Sequence, residues 1–330
     1  MSLAACQEGA LRVSANQQNS GRLSVSGRFL SIGECMVELS QAGAGLLRKG
    51  FAGDTLNTAW YARACLPADW SVEYFTALGD EAMSDEMIAF FKQAGIGTEF
   101  VRRIKGKAPG LYMISLKDGE RSFSYWRDNS AARQLAADAE LLREAIEACD
   151  IIYFSGITLA ILSRNDADTL LTEVRRAKAA GKIVAFDPNI RPRLWSGYDV
   201  MHATISEGAR ASSLVLPSFD DEATHFGDIS IEATIHRYHT LGAADVVVKN
   251  GAEGATLSFD GVESFVPAEK VKTVVDTTSA GDSFNGAFLA RYLQTKDAPA
   301  AAAFAAKVAG RVVSEHGALV AWEKLGIKEA

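Results

Sequence analysis

Four short apolar segments decide the fold class of this chain: IIYFSG (151–156), KIVAFDPN (182–189), SSLVLPS (212–218) and DVVVKNG (245–251). The first three are each followed by a predicted helix, the clearest of which runs from about Asn165 to Ala180 before Gly181. Strands that are apolar throughout are typical of parallel sheets with helices on both faces. The pattern therefore predicts a three-layer α/β/α domain with a mostly parallel central sheet.

The composition excludes several classes of protein. A chain of 330 residues with 48% hydrophobic residues, 28 Gly and 7 Pro is neither disordered nor collagen-like. Its net charge of −7 argues against nonspecific binding to nucleic acid or to an anionic membrane. No apolar run reaches the ~20 residues of a membrane-spanning helix. Four scattered cysteines without CxxC spacing favour a cytoplasmic protein over a zinc or disulfide protein.

The segments upstream predict a small β-strand lid attached to this domain. FLSIGECMVEL, from Phe29, predicts a first strand. LYMISLK and RSFSYWR predict two alternating strands joined by a tight turn at Asp118-Gly119. We therefore expect a single domain over residues 29–330, with a lid formed by about 36–52 and 108–128. Residues 1–28 lack the features of a signal peptide and are expected to be a disordered tail, an overlong start or an added extension.

Common nucleotide-binding and catalytic motifs are absent. The two Gly-Lys pairs are followed by Ala108 and Ile183, so neither completes a P-loop. No GxGxxG opens a helix after the first predicted strand, which counts against a nicotinamide oxidoreductase. The sequence also contains no GxSxG nucleophile elbow.

The segment VVDTTSAGDSFNGAFLARYL (274–293) carries the strongest chemical signal. It predicts a short strand ending at Asp276, a turn of small residues and then a long helix. The first N–H groups of such a helix are unpaired and, with the helix dipole, attract an anion. A carboxylate at Asp282 would repel a resting phosphate but could accept a proton from an attacking hydroxyl. The alternative is an acidic residue that only stabilises the helix N-terminus.

Three further segments end predicted strands with polar or glycine residues: KNGAEG (249–254), FDPNIRPRLW (186–195) and GDTLN (53–57). Asp54 is the predicted cap of the helix that follows Gly53. Each segment alone is an ordinary turn or helix start. Because the carboxyl ends of parallel strands meet at one edge of a sheet, where open α/β sheets bind ligands, the four segments together predict one site.

These motifs resemble those of the ribokinase, or pfkB, family of carbohydrate kinases, and the similarity runs from about Phe29 to the C-terminus. The helix start DTTSAGD (276–282) is highly specific for that family, which implies a ribokinase-like fold. SYWR (124–127) and NIRPRLW (189–195) are similar to the branch that phosphorylates the sugar acid 2-keto-3-deoxygluconate.

The resemblance implies a role for each matching residue. The catalytic base is Asp282, and the anion hole comprises Ser279, Ala280 and Gly281. The nucleotide loop contains Lys249, Gly251 and Gly254, while Asn189 and Arg191 lie between the nucleotide phosphate and the substrate. Sugar hydroxyls are bound by Gly53, Asp54 and Asn57, under the lid residues Tyr112, Tyr125 and Arg127. The implied cofactors are ATP and Mg²⁺, with activation by a monovalent cation left open.

Two positions depart from the family pattern. Ser279 stands where the family usually has glycine, so it is strained if that position needs a positive φ. The family's Asn-x-x-Glu, which is linked to its magnesium site, is reduced to Phe219-Asp220-Asp221-Glu222. The glutamate of that motif is present as Glu222, which is a candidate contact of Mg²⁺ through water.

The choice of substrate also has a physical argument. Tyr125 and Arg127 are two residues apart on a strand, so they are expected to face the same side. A guanidinium beside a phenol suits a carboxylate better than a neutral sugar.

The expected reaction is transfer of the ATP γ-phosphoryl to the terminal hydroxyl of a sugar acid. The alternatives are a fructokinase, a nicotinamide oxidoreductase and a noncatalytic sugar-binding module. Because lid strands have exposed edges, pairing of lids in a homo-oligomer is a further expectation.

Overall fold

A computed structural model describes residues 27–43, 45–117 and 120–327. Along these residues the strands are β1 (Arg28–Ile32), β2 (Met36–Gly43), β3 (Leu46–Ala52), β4 (Ser71–Leu78), β5 (Ile96–Gly97), β6 (Val101–Arg103), β7 (Gly110–Lys117), β8 (Glu120–Trp126), β9 (Ile151–Ser155), β10 (Ile183–Asp187), β11 (Leu214–Val215), β12 (Asp245–Asn250), β13 (Gly254–Phe259) and β14 (Val262–Pro267). The α-helices are α1 (Asp54–Cys65), α2 (Ala82–Gln93), α3 (Ala139–Ala148), α4 (Gly156–Ile161), α5 (Arg164–Ala179), α6 (Tyr198–Arg210), α7 (Phe219–Phe226), α8 (Ile231–Thr240), α9 (Ala280–Thr295) and α10 (Ala298–Val312).

The main sheet is mixed and mostly parallel. Its central order is β14-β13-β12-β11-β10-β9-β1-β4-β5, and β6 also pairs with β4. The pairs from β12 across to β5 are parallel, whereas β13 and β14 add an antiparallel edge. The prediction of an α/β domain with a mostly parallel sheet is confirmed. No helix in the described ranges is long and apolar enough to cross a membrane.

Two hydrophobic cores lie on opposite faces of this sheet. On β9, Ile151 and Tyr153 pack into the core formed with α1, α2, α9 and α10. Ile152 and Phe154 alternate with them and pack into the core formed with α3, α5, α6 and α8. Because successive side chains of a strand point to opposite faces, a strand buried on both sides must be apolar at every position. This is why the four segments carry continuous apolar runs.

A second, four-stranded sheet has the order β3-β2-β7-β8 and occupies the two segments expected to form the lid. Strands β7 and β8 pair antiparallel, as the alternating pattern predicts, while β2 pairs parallel with β7. The predicted turn at Asp118-Gly119 lies outside the described residues, as does the expected tail apart from Gly27 and Arg28.

The stretch from Phe29 to Leu39, expected to be one strand, forms two strands in different sheets. The chain leaves the main sheet after Ile32 and enters the small sheet at Met36. Gly33 packs so closely that an added Cβ would lie 2.4 Å from Thr55 Oγ1. The stretch that reads as one strand in the sequence therefore contains β1 of the main sheet and β2 of the small sheet.

The strand expected before Asp276 does not form. The N–H groups of Val275 and Asp276 both donate to Val313 O, at 2.8 and 3.2 Å. This segment is therefore held by the end of α10 rather than by a sheet.

Candidate active site

A cleft of about 350 Å³ lies between the carboxyl ends of the main-sheet strands and the small sheet. The predicted site residues that line it are Gly53, Asp54, Asn57, Tyr112, Tyr125, Asn189, Arg191, Lys249, Ser279, Ala280, Gly281 and Asp282. Only part of the expected geometry holds, because the DTTSAGD turn follows no strand and Gly53 follows β3 of the small sheet. The tertiary packing still brings the four segments to one place.

The turn that opens α9 has the shape of an anion-binding site. Ser279 is its N-cap residue, with φ 64° and ψ 12°, so this position does require the left-handed conformation that glycine adopts more easily. The Ala280 N–H donates to Thr277 O at 3.2 Å. Helix geometry leaves the N–H groups of Gly281 and Asp282 without intrahelical acceptors. The N–H groups of Gly281 and Asp282 could therefore bind an anion, whereas that of Ala280, also predicted for the anion hole, is already paired.

The carboxyl group of Asp282 has the properties of a general base. Its Oδ2 accepts a hydrogen bond from Asn57 Nδ2 at 2.9 Å. Burial, with a further contribution from the charge of Asp54, raises the pKa of Asp282 to about 7, although the hydrogen bond from Asn57 and the charge of Lys249 lower it. A base with a pKa near neutral pH accepts a proton and releases it again without a large energetic cost.

Asp54 is the first residue of α1 rather than its cap. Gly53 is the N-cap residue, and a Cβ added there would lie 2.2 Å from Glu34 O. The Asp54 carboxylate instead accepts a hydrogen bond from Asn189 Nδ2 at 2.9 Å, and burial raises the pKa of this carboxyl. The contact joins the start of α1 to the segment that follows β10.

A close crossing of α1 and α9 sets the distance between Asn57 and Asp282. At Gly286 an added Cβ would lie 2.5 Å from Thr58 O and 2.9 Å from Ala62 N. Only a glycine at this position lets the two helix backbones approach so closely. The sequence gives no signal for this role.

On the opposite wall, Arg191 lies near Asp221, with Nη1 and Oδ2 3.5 Å apart. Lys249 Nζ forms an ion pair with Asp187 Oδ2 at 2.9 Å.

The two glycines predicted for the nucleotide loop, Gly251 and Gly254, form the turn between β12 and β13 and do not line the cleft. Their φ angles of 49° and 131° explain the need for glycine.

Arg127 lies in a different place from the one expected. It follows the last residue of β8, is 8% exposed and forms an ion pair with Glu34, which also accepts a hydrogen bond from Ser130 Oγ. It does not line the cleft, whereas Tyr125 does. The expectation that the two side chains face one ligand therefore differs from the structure. The strand ends before Arg127, and the buried carboxylate of Glu34 binds its guanidinium.

Glu222, kept as a candidate contact of Mg²⁺ through water, does not line the cleft either. It is fully buried on α7 and accepts hydrogen bonds from Arg237 Nη2 at 2.6 Å and Tyr238 OH at 2.8 Å. Burial raises the pKa of Glu222 to about 7. Its neighbour Asp221 supplies the carboxylate of α7 that lines the cleft.

Several residues of the cleft were not predicted from the sequence: Met36, Phe123, Ile157, Asp187, Ser218, Asp221, Thr277, Thr278 and Ala318. Phe123 lies two residues from Tyr125 on β8 and so shares its face, and Asp187 ends an apolar strand, so both carried a detectable signal. Ala318 carried no such signal, because it lies near the C-terminus in a segment without a recognisable motif.

A larger groove of about 870 Å³ lies outside this site, beside α5 and α6. Its charged side chains are paired with one another, as in the ion pairs of Glu207 with Arg175 and Arg210. Exposed pairs of this kind contribute little and do not converge on a ligand. We therefore assign the chemistry to the smaller cleft.

Comparisons with known proteins show the family to which this chain belongs. A family model described as pfkB family carbohydrate kinase matches residues 28–325. The 2-dehydro-3-deoxygluconokinase of Dickeya dadantii is 40% identical over 301 residues, which cover 89% of this chain and 97% of that protein. The Escherichia coli K12 protein of the same name is 37% identical over 309 residues, covering 91% and 99%.

Solved structures give the same answer for the fold. A PfkB protein from Polaromonas sp. has a TM-score of 0.77 and 26% identity, covering 92% of this chain and 100% of that one. A fructokinase with bound ATP from Xylella fastidiosa has a TM-score of 0.76 and 25% identity, covering 88% and 94%. The ribokinase-like fold is confirmed, and the chain belongs to the pfkB family of carbohydrate kinases.

Proposed function

We propose that this chain is an ATP-dependent 2-keto-3-deoxygluconate kinase, also called a 2-dehydro-3-deoxygluconokinase. The γ-phosphoryl group of ATP would move to the terminal hydroxyl of the sugar acid, giving 2-keto-3-deoxy-6-phosphogluconate. The observation that carries the proposal is Asp282, whose raised pKa and position at an anion-binding helix start suit a base beside a transferring phosphoryl group. Relatives of that name, 36–40% identical over most of the chain, support the choice of substrate.

Each of these cleft residues would have its own role in the reaction. Asp282 would accept the proton of the attacking hydroxyl, and Asn57 would hold its carboxylate in place. The N–H groups of Gly281 and Asp282 would stabilise negative charge on the transferring group. The lid residues Tyr112 and Tyr125 would cover the sugar and limit hydrolysis of ATP by water.

The residues present fit ATP phosphates better than they fit a dedicated metal site. Ser279 Oγ is buried at the anion-binding turn with no hydrogen-bond partner in the described part of the chain, which suits a phosphate oxygen as its acceptor. The described residues contain no group of three or more His, Cys, Asp or Glu side chains that could hold a metal ion. Mg²⁺ would therefore be bound mainly by the phosphates and water, where it neutralises phosphate charge. Activation by a monovalent cation stays a prediction from the resemblance.

For the carboxylate of the sugar acid we propose Arg191, the arginine that lines the cleft. A guanidinium binds a carboxylate through two parallel hydrogen bonds, and a neutral sugar offers no such partner. The other candidate, Arg127, would have to leave Glu34 to make this contact. A fructokinase would share Asp282 but would not need Arg191.

The test of substrate choice is ADP release measured across a panel of sugars and sugar acids, with wild type and Arg191→Ala compared. We expect the highest kcat/KM for 2-keto-3-deoxygluconate. Loss of the charged contact should lower this value roughly 10- to 150-fold, from the ~1.5–3 kcal/mol of such a bond. Activity on fructose should hardly change. A wild type that prefers fructose would reassign the protein as a fructokinase, and ADP release independent of any sugar would reject both.

We also propose that the chain forms a homo-oligomer through its lid and acts in the cytoplasm. The small sheet exposes Leu46 and Leu47 of β3, at 66% and 50%. Covering these side chains and the sheet edge would be favourable. Light scattering at micromolar concentration should give a dimer or a larger species, and the double variant Leu46→Lys, Leu47→Lys should lower its mass. A wild-type monomer would contradict the proposal.

A further inference from the structure

A buried polar network lies directly beneath the anion-binding turn. Lys249 Nζ donates to Asp187 Oδ2 at 2.9 Å and to Asn285 Oδ1 at 3.1 Å. Asn285 Nδ2 donates in turn to Asp187 Oδ2 at 2.6 Å and to Tyr153 OH at 3.2 Å. These four side chains are at most 9% exposed and come from β12, β10, α9 and β9. The network therefore joins three strands of the sheet to the helix that carries the base.

The ammonium group of Lys249 is placed next to the anion hole. A Cβ built on Gly281 would have Lys249 Nζ as its nearest neighbour, at 3.6 Å. Lys249 and Asp187 both line the cleft. An ammonium has three N–H donors, and the contacts with Asp187 and Asn285 use two of them. One donor is left for a group bound in the cleft.

The charges of the cleft require a fixed cation at this point. Four carboxylates line it, at Asp54, Asp187, Asp221 and Asp282, and a phosphoryl group would add further negative charge. The charges of Asp54 and Asp187 raise the pKa of Asp282, and that of Lys249 lowers it. The phenols of Tyr61 and Tyr153 also face this carboxylate, and burial raises the pKa of each well above its usual value, so they stay neutral.

We propose that Lys249 is a catalytic residue whose ammonium group stabilises negative charge on the transferring phosphoryl group, and that Asp187 and Asn285 position it. This inference rests on the proposed phosphoryl transfer but not on the identity of the sugar. It goes beyond a general role in the nucleotide loop, because the ammonium acts at the group that moves. A cation already fixed by a buried carboxylate and an amide needs no rearrangement as charge develops.

The test compares Lys249→Met with the double variant Asp187→Asn, Lys249→Met. The single variant leaves the Asp187 charge buried without its partner, so its loss of stability alone could lower activity. The double variant removes both charges and should recover thermal stability. If Lys249 acts on the phosphoryl group, kcat should stay roughly 10²–10³-fold below wild type in both variants, as for loss of one oxyanion-hole donor. Recovery of kcat in the double variant to within about threefold of wild type would overturn the proposal.

Two further measurements separate this role from a structural one. In the single variant the loss of the positive charge should move the acid limb of the kcat/KM profile to higher pH, because Lys249 lowers the pKa of Asp282. An unmoved limb would contradict the placement of the ammonium. The control is Lys182→Met, since Lys182 binds the carbonyls of Ile146, Glu147 and Cys149 away from the cleft. It should change stability only.

All variants are assayed with whichever sugar the wild type phosphorylates best. A different preferred sugar would then revise the proposed substrate without touching the inference about Lys249. Retained binding of a nonhydrolysable ATP analogue by the double variant would place the loss in the chemical step. Loss of that binding, with normal kcat at saturating ATP, would make Lys249 a binding residue and overturn the proposal.

Discussion

At the scale of single residues, the proposed reaction depends on Asp282. Asp282→Asn keeps the shape of the side chain and its place beside Asn57 but removes the base. We expect kcat to fall about 10²–10⁴-fold, the usual contribution of a general base, while an ATP analogue still binds. Steady-state kinetics and calorimetry measure the two effects. A variant that keeps more than about a tenth of wild-type kcat would contradict the assignment.

The raised pKa of Asp282 predicts the pH dependence of the reaction. The base is active when deprotonated, and its pKa is about 7, so kcat/KM should decrease as pH falls below that value. Because the charge of Asp54 raises this pKa, Asp54→Asn should shift the acid limb to lower pH. A profile flat between pH 5 and 8 would show that Asp282 is not the group that titrates. Asp85→Asn, which removes an exposed carboxylate outside the cleft, is the control.

Ser279 combines a strained backbone with a buried hydroxyl that has no partner among the described residues. Ser279→Gly should relieve the strain of the left-handed conformation and raise the free energy of unfolding by about 1 kcal/mol. Chemical denaturation measures this change. The same variant reports on the hydroxyl, because a decrease in kcat is expected if Ser279 Oγ donates to a phosphate oxygen. No gain in stability would show that the position is not strained.

At the scale of elements, the crossing of α1 and α9 aligns the base with Asn57. Gly286→Ala would force the two helices apart, since its Cβ would meet Thr58 O. We expect a loss of stability of about 1–3 kcal/mol and a decrease in kcat as the hydrogen bond between Asn57 and Asp282 lengthens. The control is Gly208→Ala on α6, where the new Cβ would meet the ring of Phe186 in the other core. It should destabilise the fold without an equal effect on kcat.

At the scale of the whole molecule, the buried ion pair of Arg127 and Glu34 holds the small sheet to the main body. Arg127 follows β8, whereas Glu34 lies where the chain passes from the main sheet to the small one. Arg127→Met would leave Glu34 charged and buried, which should cost about 3–5 kcal/mol of stability. The double variant with Glu34→Gln should recover most of this loss in thermal denaturation. If the double variant is no more stable, Arg127 has another essential role, such as binding the sugar acid.

The sequence by itself determined the fold class of this protein, most of its strands and helices, and several residues of the candidate site. Continuous apolar strands alternating with helices are dictated by a sheet buried on both faces, so the three-layer fold was predictable from local patterns. The roles proposed for Asp282 and Ser279 also have a local signal, because a helix start that binds an anion leaves a short signature, whereas a role for Asn57 came only from the family resemblance.

Only the tertiary structure decided where several of these side chains point. Arg127 and Glu222 have the residue types of ligand contacts, yet each is buried against a partner on another element, Glu34 at 93 residues' distance and Arg237 on the next helix. The close helix crossing at Gly286 and the network around Lys249 likewise join segments that no local pattern connects. Charge pairing and backbone approach depend on distances between remote parts of the chain, and periodicity along a sequence contains no information about those distances.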